Sequence, residues 1–263
     1  MENATAPSSP REVAGTLLGQ IGAPAVAAIS RLRGARMFHP DGVAFLAEVA
    51  PIAPSDASAP RGAADLATRL AGPALVRMSG ALWRRGFEHL DVLGVAVRFR
   101  STTRVTHLPA EGDQDLLFAT IKSPFTLGLA PFTTDPHDYF DNTYWAVSPF
   151  DAPGLGRVKF RLVPHRSRDT ARDGATSRDA GLLRAVEAGR AILRLEVRRT
   201  FSLSWTALAT VRLTEIADVD QAALRFSPFR TGRGIVPRGL VHAIRRAAYP
   251  ASQRGRGAPA EAG

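Results

Sequence analysis

The feature that most constrains the fold is the alternation in residues 92–100, VLGVAVRFR. Leu93, Val95, Val97 and Phe99 fall on one side of an extended chain, with Gly94, Ala96, Arg98 and Arg100 on the other. RVKFRLV at 157–163 alternates in the same way. Such segments are half-buried strands that need a sheet around them and a core on one side. Further strands are predicted near 42–50, 74–79, 114–121, 191–202 and 205–213. Helices are predicted near 14–32, at 62–71 and over LLRAVEAGRA at 182–191, with a Pro/Ala/Ser connector at 51–60. Residues 122–150, rich in aromatics and proline, read as a long covering loop with short helices, and 165–178 reads as a loop. The 263 residues, 45% of them hydrophobic, suit one large domain, and no internal repeat or boundary divides them. The expectation is an α+β fold, an antiparallel β-barrel core with flanking helices. It forms a single domain over 14–256, between a disordered N-terminus at 1–13 and a disordered tail at 257–263.

Composition narrows the chemistry. With no cysteine, disulfides, iron–sulfur clusters, thiolate ligands and cysteine nucleophiles are excluded. The net charge of +10 is partly local: residues 157–199 hold eleven arginines and Lys159 against five acids, twelve minus five giving +7. Nucleic-acid binding is not expected, because no recognition module is present and Phe160 is the main aromatic near these cations. Only Lys122 and Lys159 are lysines, so the excess is an arginine preference of the chain as a whole. There is no run of about 18 apolar residues and no basic-then-apolar leader, so a cytoplasmic protein with no membrane partner is expected. No Gly-x-Ser-x-Gly elbow and no phosphate loop occurs.

Two constellations carry chemistry. In the tail, Arg245 precedes Tyr249 by four residues. On a helix over 239–249 that spacing places guanidinium and phenol on one face, with Cβ atoms about 5–6 Å apart. A phenol titrates near ~10, so holding it as phenolate at neutral pH takes roughly 4 kcal/mol. A nearby cation supplies part of this and a bound ferric ion the rest; tyrosinate is one of the few axial ligands of haem iron. The alternative is a surface helix with a basic face and an incidental tyrosine. Nearer the N-terminus, RMFHPDGVAF places Arg36 three residues before His39, and VRMS places Arg77 two before Ser79. In a strand, Arg77 and Ser79 share a face, where the hydroxyl can orient a histidine.

Together these segments resemble the catalase-like haem superfamily. Arg36, His39 and Gly42 match its distal Arg-x-x-His motif leading into a Gly-containing strand. Val76, Arg77 and Ser79 match its Val-Arg-x-Ser strand, and Asp91, Gly94, Ala96, Val97 and Phe99 its next strand. Arg245, Tyr249, Pro250, Arg254 and Arg256 match its proximal Arg-x-x-x-Tyr-Pro motif. FSP at 226–228 and GIVP at 234–237 resemble the approach to that motif. The likeness covers roughly residues 31–256 and the barrel core alone, with no room for the family's arms, wrapping segment or extra C-terminal domain.

The resemblance implies haem b (iron protoporphyrin IX), with Tyr249 as the iron ligand tuned by Arg245. It implies His39 as the distal proton acceptor and donor, oriented by Ser79, and Arg36, Arg77 and Arg256 on the propionates. One departure bears on activity. The family's catalases place an Asn shortly after Asp-Leu-Val, whereas DQDLLFATIKSPF contains none and Thr120 is the nearest polar candidate; Phe38 also replaces a smaller residue. The implied enzyme is therefore a haem-dependent peroxidase acting on hydrogen peroxide or organic hydroperoxides with an organic reductant, with weak catalase activity. Rearrangement or oxidative tailoring of a specific substrate on the same haem, and non-catalytic haem binding, are the alternatives. Without arms a monomer or homodimer is expected. Asp135, His137 and Asp138 in TTDPHDYF read as a turn rather than metal ligands, and His242 lies seven residues before Tyr249.

Overall fold

The computed structural model describes residues 41–53, 60–81, 89–123, 129–146, 148–165 and 177–238. The predicted helices at 14–32 and 239–249 lie outside the described residues, as do both termini. Among the described residues ten strands follow in chain order: β1 Asp41–Pro51, β2 Gly72–Gly80, β3 Leu93–Phe99, β4 Gln114–Ala119, β5 Tyr144–Trp145, β6 Phe150–Ala152, β7 Gly156–Pro164, β8 Ile192–Arg199, β9 Thr206–Ile216 and β10 Val236–Pro237. The helices are α1 Ala63–Leu70, α2 Ala130–Thr133 and α3 Arg178–Glu187.

The hydrogen-bonded order runs β7-β5-β4-β3-β2-β1-β9-β8, and a β7–β8 pairing returns the sheet to its start. The result is a closed antiparallel barrel of eight strands, with β6 continuing β5 along one edge of β7 and β10 paired outside β6. Among the described strands, closure leaves no long unpaired edge. Register shifts at Leu46/Ala47 and Leu195/Glu196 help the strands bend around the barrel.

The alternation read from the sequence is what fills this barrel. Phe45, Val76, Met78, Val95, Val97, Phe99, Leu116, Phe118, Phe160, Leu162, Leu193, Leu195, Val211 and Leu213 belong to one buried cluster. Each such side chain stabilises the fold by roughly 1.5–3 kcal/mol relative to exposure. α1 adds Ala63, Leu66, Ala67 and Leu70, spaced to share one helical face, and packs against β1 and β9.

Two segments differ from expectation. The third helix begins at Arg178 rather than 182, because the Ser177 hydroxyl accepts from the Ala180 amide at 3.2 Å and caps it there. It ends before Gly189, whose φ of 65° reverses the chain at low steric cost. The stretch 122–150, expected to be only a covering loop with short helices, also contributes β5, the strand that bridges β4 and β7. Its anchor is Tyr144, fully buried, which donates to the Tyr139 carbonyl at 2.6 Å. Burial holds the Tyr144 phenol far above its usual pKa, so it stays a neutral donor.

The start of β4 secures the C-terminal part of the described chain. Gln114 is fully buried, and its amide donates to the carbonyls of Arg230 at 2.8 Å and Ile235 at 3.2 Å. It accepts from the amides of Arg233 and Ile235 at 3.3 and 3.2 Å. Asp115 accepts from the Ser227 amide at 2.8 Å and from Arg230. These bonds hold 225–235 against the barrel.

Candidate functional site

The outer face of β1–β4 can be read row by row from the pairing. Gly42 faces Ser79, Ser79 faces Gly94, and Gly94 faces Ala119. The next row is Ala44, Arg77, Ala96 and Leu117, followed by Leu46, Leu75, Arg98 and Asp115. Arg77 and Ser79 do share a face, as their spacing predicted.

Two coverings bound this face. At one end, Ala130 of α2 packs with Ala81, Val92 and Ala119, with Ile121 alongside. At the other, Ala217, Leu224 and Phe226 pack on Ala44 and Leu75. Gln221 fixes that covering: its side-chain oxygen accepts from the Ala44 amide at 3.1 Å, while the Ala217 amide donates to the Ala44 carbonyl at 2.9 Å. Beneath Phe226 lies a fully buried ion pair. Arg98 Nε meets Asp115 Oδ1 at 2.9 Å, and the guanidinium also stands 5.0 Å from the Phe226 ring centroid. Another Arg98 nitrogen donates to the Arg225 carbonyl.

From the edge of the first covering, where Ala119 lies against Ala130, runs the row Gly42, Ser79, Gly94 and Ala119, with Arg77 beside it. It spans three strand gaps of about 4.8 Å, roughly 14 Å. Its largest side chain is that of a serine, so it is a flat shelf. The glycine at 42 is required sterically. A Cβ there would lie 2.7 Å from the Arg77 guanidinium carbon, 2.7 Å from Ser79 Cβ and 2.5 Å from the Met78 carbonyl oxygen. Arg77 and Ser79 are both buried, and Ser79 Oγ donates to the Gly94 carbonyl at 3.4 Å.

At the barrel end, next to Gly80 on the core side of β2, lies a second polar cluster; the sequence reading named its Asp91 but not its Arg178. Asp91, fully buried, accepts from the amides of Ala81 at 3.1 Å and Val92 at 2.8 Å. It pairs with Arg178 Nη1 at 3.3 Å, and Arg178 also donates to the Pro136 carbonyl at 2.9 Å. The same guanidinium lies 5.2 Å from the Tyr139 ring centroid. Burial raises the Tyr139 phenol despite Arg178, so it stays neutral. Burial alone would lower Arg178, but Tyr139 and Asp91 together hold it above its usual range. The cluster ties α3 and the 136–139 turn to the barrel end.

Thr120 is placed differently from Ser79. It follows Leu116 and Phe118 in phase, on the core side, and its hydroxyl accepts from the Leu93 amide at 3.1 Å and bonds Thr134 at 2.7 Å. The described structure therefore does not bring Thr120 onto the shelf with Ser79. His39, Arg36, Arg245, Tyr249, Arg256 and His242 lie outside the described residues. The Asp135–Asp138 segment uses its carboxylates on backbone amides, Asp135 accepting from His137 at 2.8 Å and Asp138 from Phe140 at 2.7 Å. Among the described residues no group of three or more His, Asp or Glu is arranged to hold a metal ion.

A shelf without bulky side chains on four neighbouring strands, with a buried guanidinium at its edge, fits one side of a planar group that carries carboxylates. Among solved structures, a fungal catalase matches with a TM-score of 0.58 at 14% identity, over 86% of this chain and 60% of its own. A bacterial catalase matches with a TM-score of 0.58 at 14% identity, over 84% of this chain and 57% of its own. The fold is catalase-like. The chain spans about three fifths of the length of these catalases, 60% and 57%. No family model matches the sequence, and no curated protein does. The catalase-like fold therefore rests on topology rather than on overall identity.

Proposed function

We propose that this catalase-like barrel binds haem b and acts as a peroxidase, reducing hydrogen peroxide or organic hydroperoxides with an organic reductant. The observation that carries this reading is the shelf Gly42–Ser79–Gly94–Ala119 with Arg77 buried at its edge. The row fits the flat side of a porphyrin, and a guanidinium suits a propionate through paired N–H donors. When bound, haem supplies the redox chemistry of peroxide cleavage.

This chain's own residues have distinct parts to play. Tyr249 would hold the iron through its phenolate oxygen, and Arg245 would favour the charged form of that phenol. His39 would serve as the proton acceptor and donor for a hydroperoxide, with the redox chemistry of cleavage supplied by the haem. Ser79 would orient the histidine ring, and Arg36, Arg77 and Arg256 would neutralise the propionates. Peroxidase is favoured over catalase because, among the described residues, the shelf offers Ser79 as its one hydroxyl and no amide. Thr120, the nearest polar substitute, is engaged with Leu93 and Thr134 on the core side.

Titration of the purified chain with hemin, followed by its absorption spectrum, tests the reading. The expected result is a saturable Soret band with a high-spin ferric tyrosinate pattern that changes on addition of peroxide. The Tyr249→Phe variant should lose tight binding, and His39→Ala should bind haem yet fail to react with peroxide. Absence of a Soret band, or an unchanged spectrum in Tyr249→Phe, overturns it.

A further inference from the structure

The turn between β8 and β9 presents the most exposed apolar side chains among the described residues. Phe201 is 99% and Leu203 91% exposed. The turn is nevertheless ordered by its own hydrogen bonds. The Thr200 amide donates to the Arg157 carbonyl at 3.0 Å, the Ser202 amide to Arg199 at 2.9 Å, and the Ser204 amide to the Ser202 hydroxyl at 3.2 Å. A fixed tip therefore holds two apolar side chains in water, an arrangement that ordinary solvent exposure of single residues does not explain.

The strands β7 and β8 beside the tip carry a positive excess, although Asp151 on β6 stands across from Arg157. β7 contributes Arg157, Lys159 and Arg161, while β8 contributes Arg194, Arg198 and Arg199, against Glu196 alone; six minus one gives +5. Glu196 is already held between Arg161 and Arg194, at 2.6 Å from each. Trp205, at the base of the tip, lies under two guanidiniums, 4.3 Å from Arg161 and 4.9 Å from Arg198. An apolar point, a tryptophan at its base and a collar of arginines match the layers of an anionic bilayer surface, from acyl boundary to phosphate headgroup.

We propose that the β8–β9 tip docks this protein on an anionic lipid surface, with Phe201 and Leu203 entering the interface and Arg157, Arg198 and Arg199 meeting headgroup phosphates. This revises the expectation of no membrane partner, which concerned spanning segments; no helix among the described residues is long and apolar enough to cross a membrane. A protein partner fits less well. A stable protein interface takes about 800 Å² from each side, whereas here the apolar surface is a convex point of two side chains. The inference does not depend on haem.

The test is co-sedimentation of the full chain with vesicles of phosphatidylcholine containing about one third phosphatidylglycerol, against phosphatidylcholine alone. The chain should sediment with the anionic vesicles and less so as salt is raised. The Phe201→Ser/Leu203→Ser double variant, which keeps every charge, should partition about tenfold more weakly or worse. Its circular dichroism and melting should match the parent, since neither side chain is buried. Equal sedimentation of parent and variant would reduce the effect to charge adsorption and overturn the proposal. So would failure of the parent to bind anionic vesicles, or a dimer of the parent that the double variant splits, which would make the tip a contact between copies.

Discussion

The same barrel wall carries two unlike outer faces. On β1–β4 the outward positions include Gly42, Ala44, Ser79, Gly94, Ala96 and Ala119; the charges among them, Arg77, Arg98 and Asp115, are buried, and Glu48 near the end of β1 is the exposed exception. On β7–β8 they are Lys159, Arg161, Arg194, Glu196 and Arg198, with Arg161 and Arg194 side chains 26% and 39% exposed. Both faces obey one alternation, and both turn Val, Leu and Phe inward. The core pattern is therefore indifferent to what lies outside it. Small outward residues let other segments approach closely and leave a shelf, whereas long cationic ones keep the surface in water and available to anions.

The largest expected difference lies in the carboxylates of the two faces. Asp115→Leu leaves the Arg98 guanidinium buried with only carbonyl acceptors and frees 225–230 from its anchor. A loss of about 3–5 kcal/mol is expected, as for one partner removed from a buried pair. Glu196 is itself 4% exposed, but its partners Arg161 and Arg194 reach solvent and can turn to water in Glu196→Gln, so a smaller loss of about 1–2 kcal/mol is expected. Chemical denaturation of the two variants measures both. Equal losses would break the distinction between a structural face and a solvated one.

A smaller effect, but one aimed at the shelf, comes from Gly42→Val. The new side chain meets backbone at Met78 as well as Arg77 and Ser79, so the strand or the guanidinium must shift. A cost of about 1–3 kcal/mol is expected, together with loss of hemin uptake in the Soret titration. Thr210→Val, an outward substitution on β9, should leave uptake unchanged. Full uptake by Gly42→Val would move the cofactor off the shelf.

What was legible in the sequence follows from which interactions are local. The period of two placed β1–β4 and β7–β9 near their observed bounds and put Arg77 and Ser79 on one face, because alternation needs no knowledge of partners. β5 was not legible. It is two residues long, set among prolines and aromatics, and exists through its pairing with β7. The Arg98–Asp115 pair and the Gln114 clamp depend on register and on a segment more than a hundred residues away. A signal was nevertheless present, since Arg98 and Asp115 stand in phase with Ala96 and Leu117, where a solvated charge is out of place. Phase also bears on Thr120: Ala119 is in step with Asp115 and Leu117, and Thr120 is not. Helix α3 was placed late because the apolar residues were followed and the Ser177 cap was overlooked.

The smallest effect concerns the rim of the covering over the β1–β4 face. The Asp220 carboxylate accepts from the amides of Ala222 at 2.8 Å and Ala223 at 3.0 Å, in the turn that presents Gln221 to Ala44. These bonds, to Ala223 and then Ala222, favour the charged form and hold Asp220 below the usual carboxylate range. A depressed carboxylate stabilises the fold above its unfolded pKa of about 3.9, and that contribution is lost as pH falls through the folded value. Asp220→Asn keeps the shape without the titration. Thermal melts should show the parent ahead of the variant near neutral pH, with the gap closing as the pH is lowered below about 4. Because the group is solvated, added salt should narrow the gap as well. A gap that persisted at low pH would assign the benefit to turn geometry rather than charge, and the rim would then resemble the buried face it borders more than the arginine face opposite.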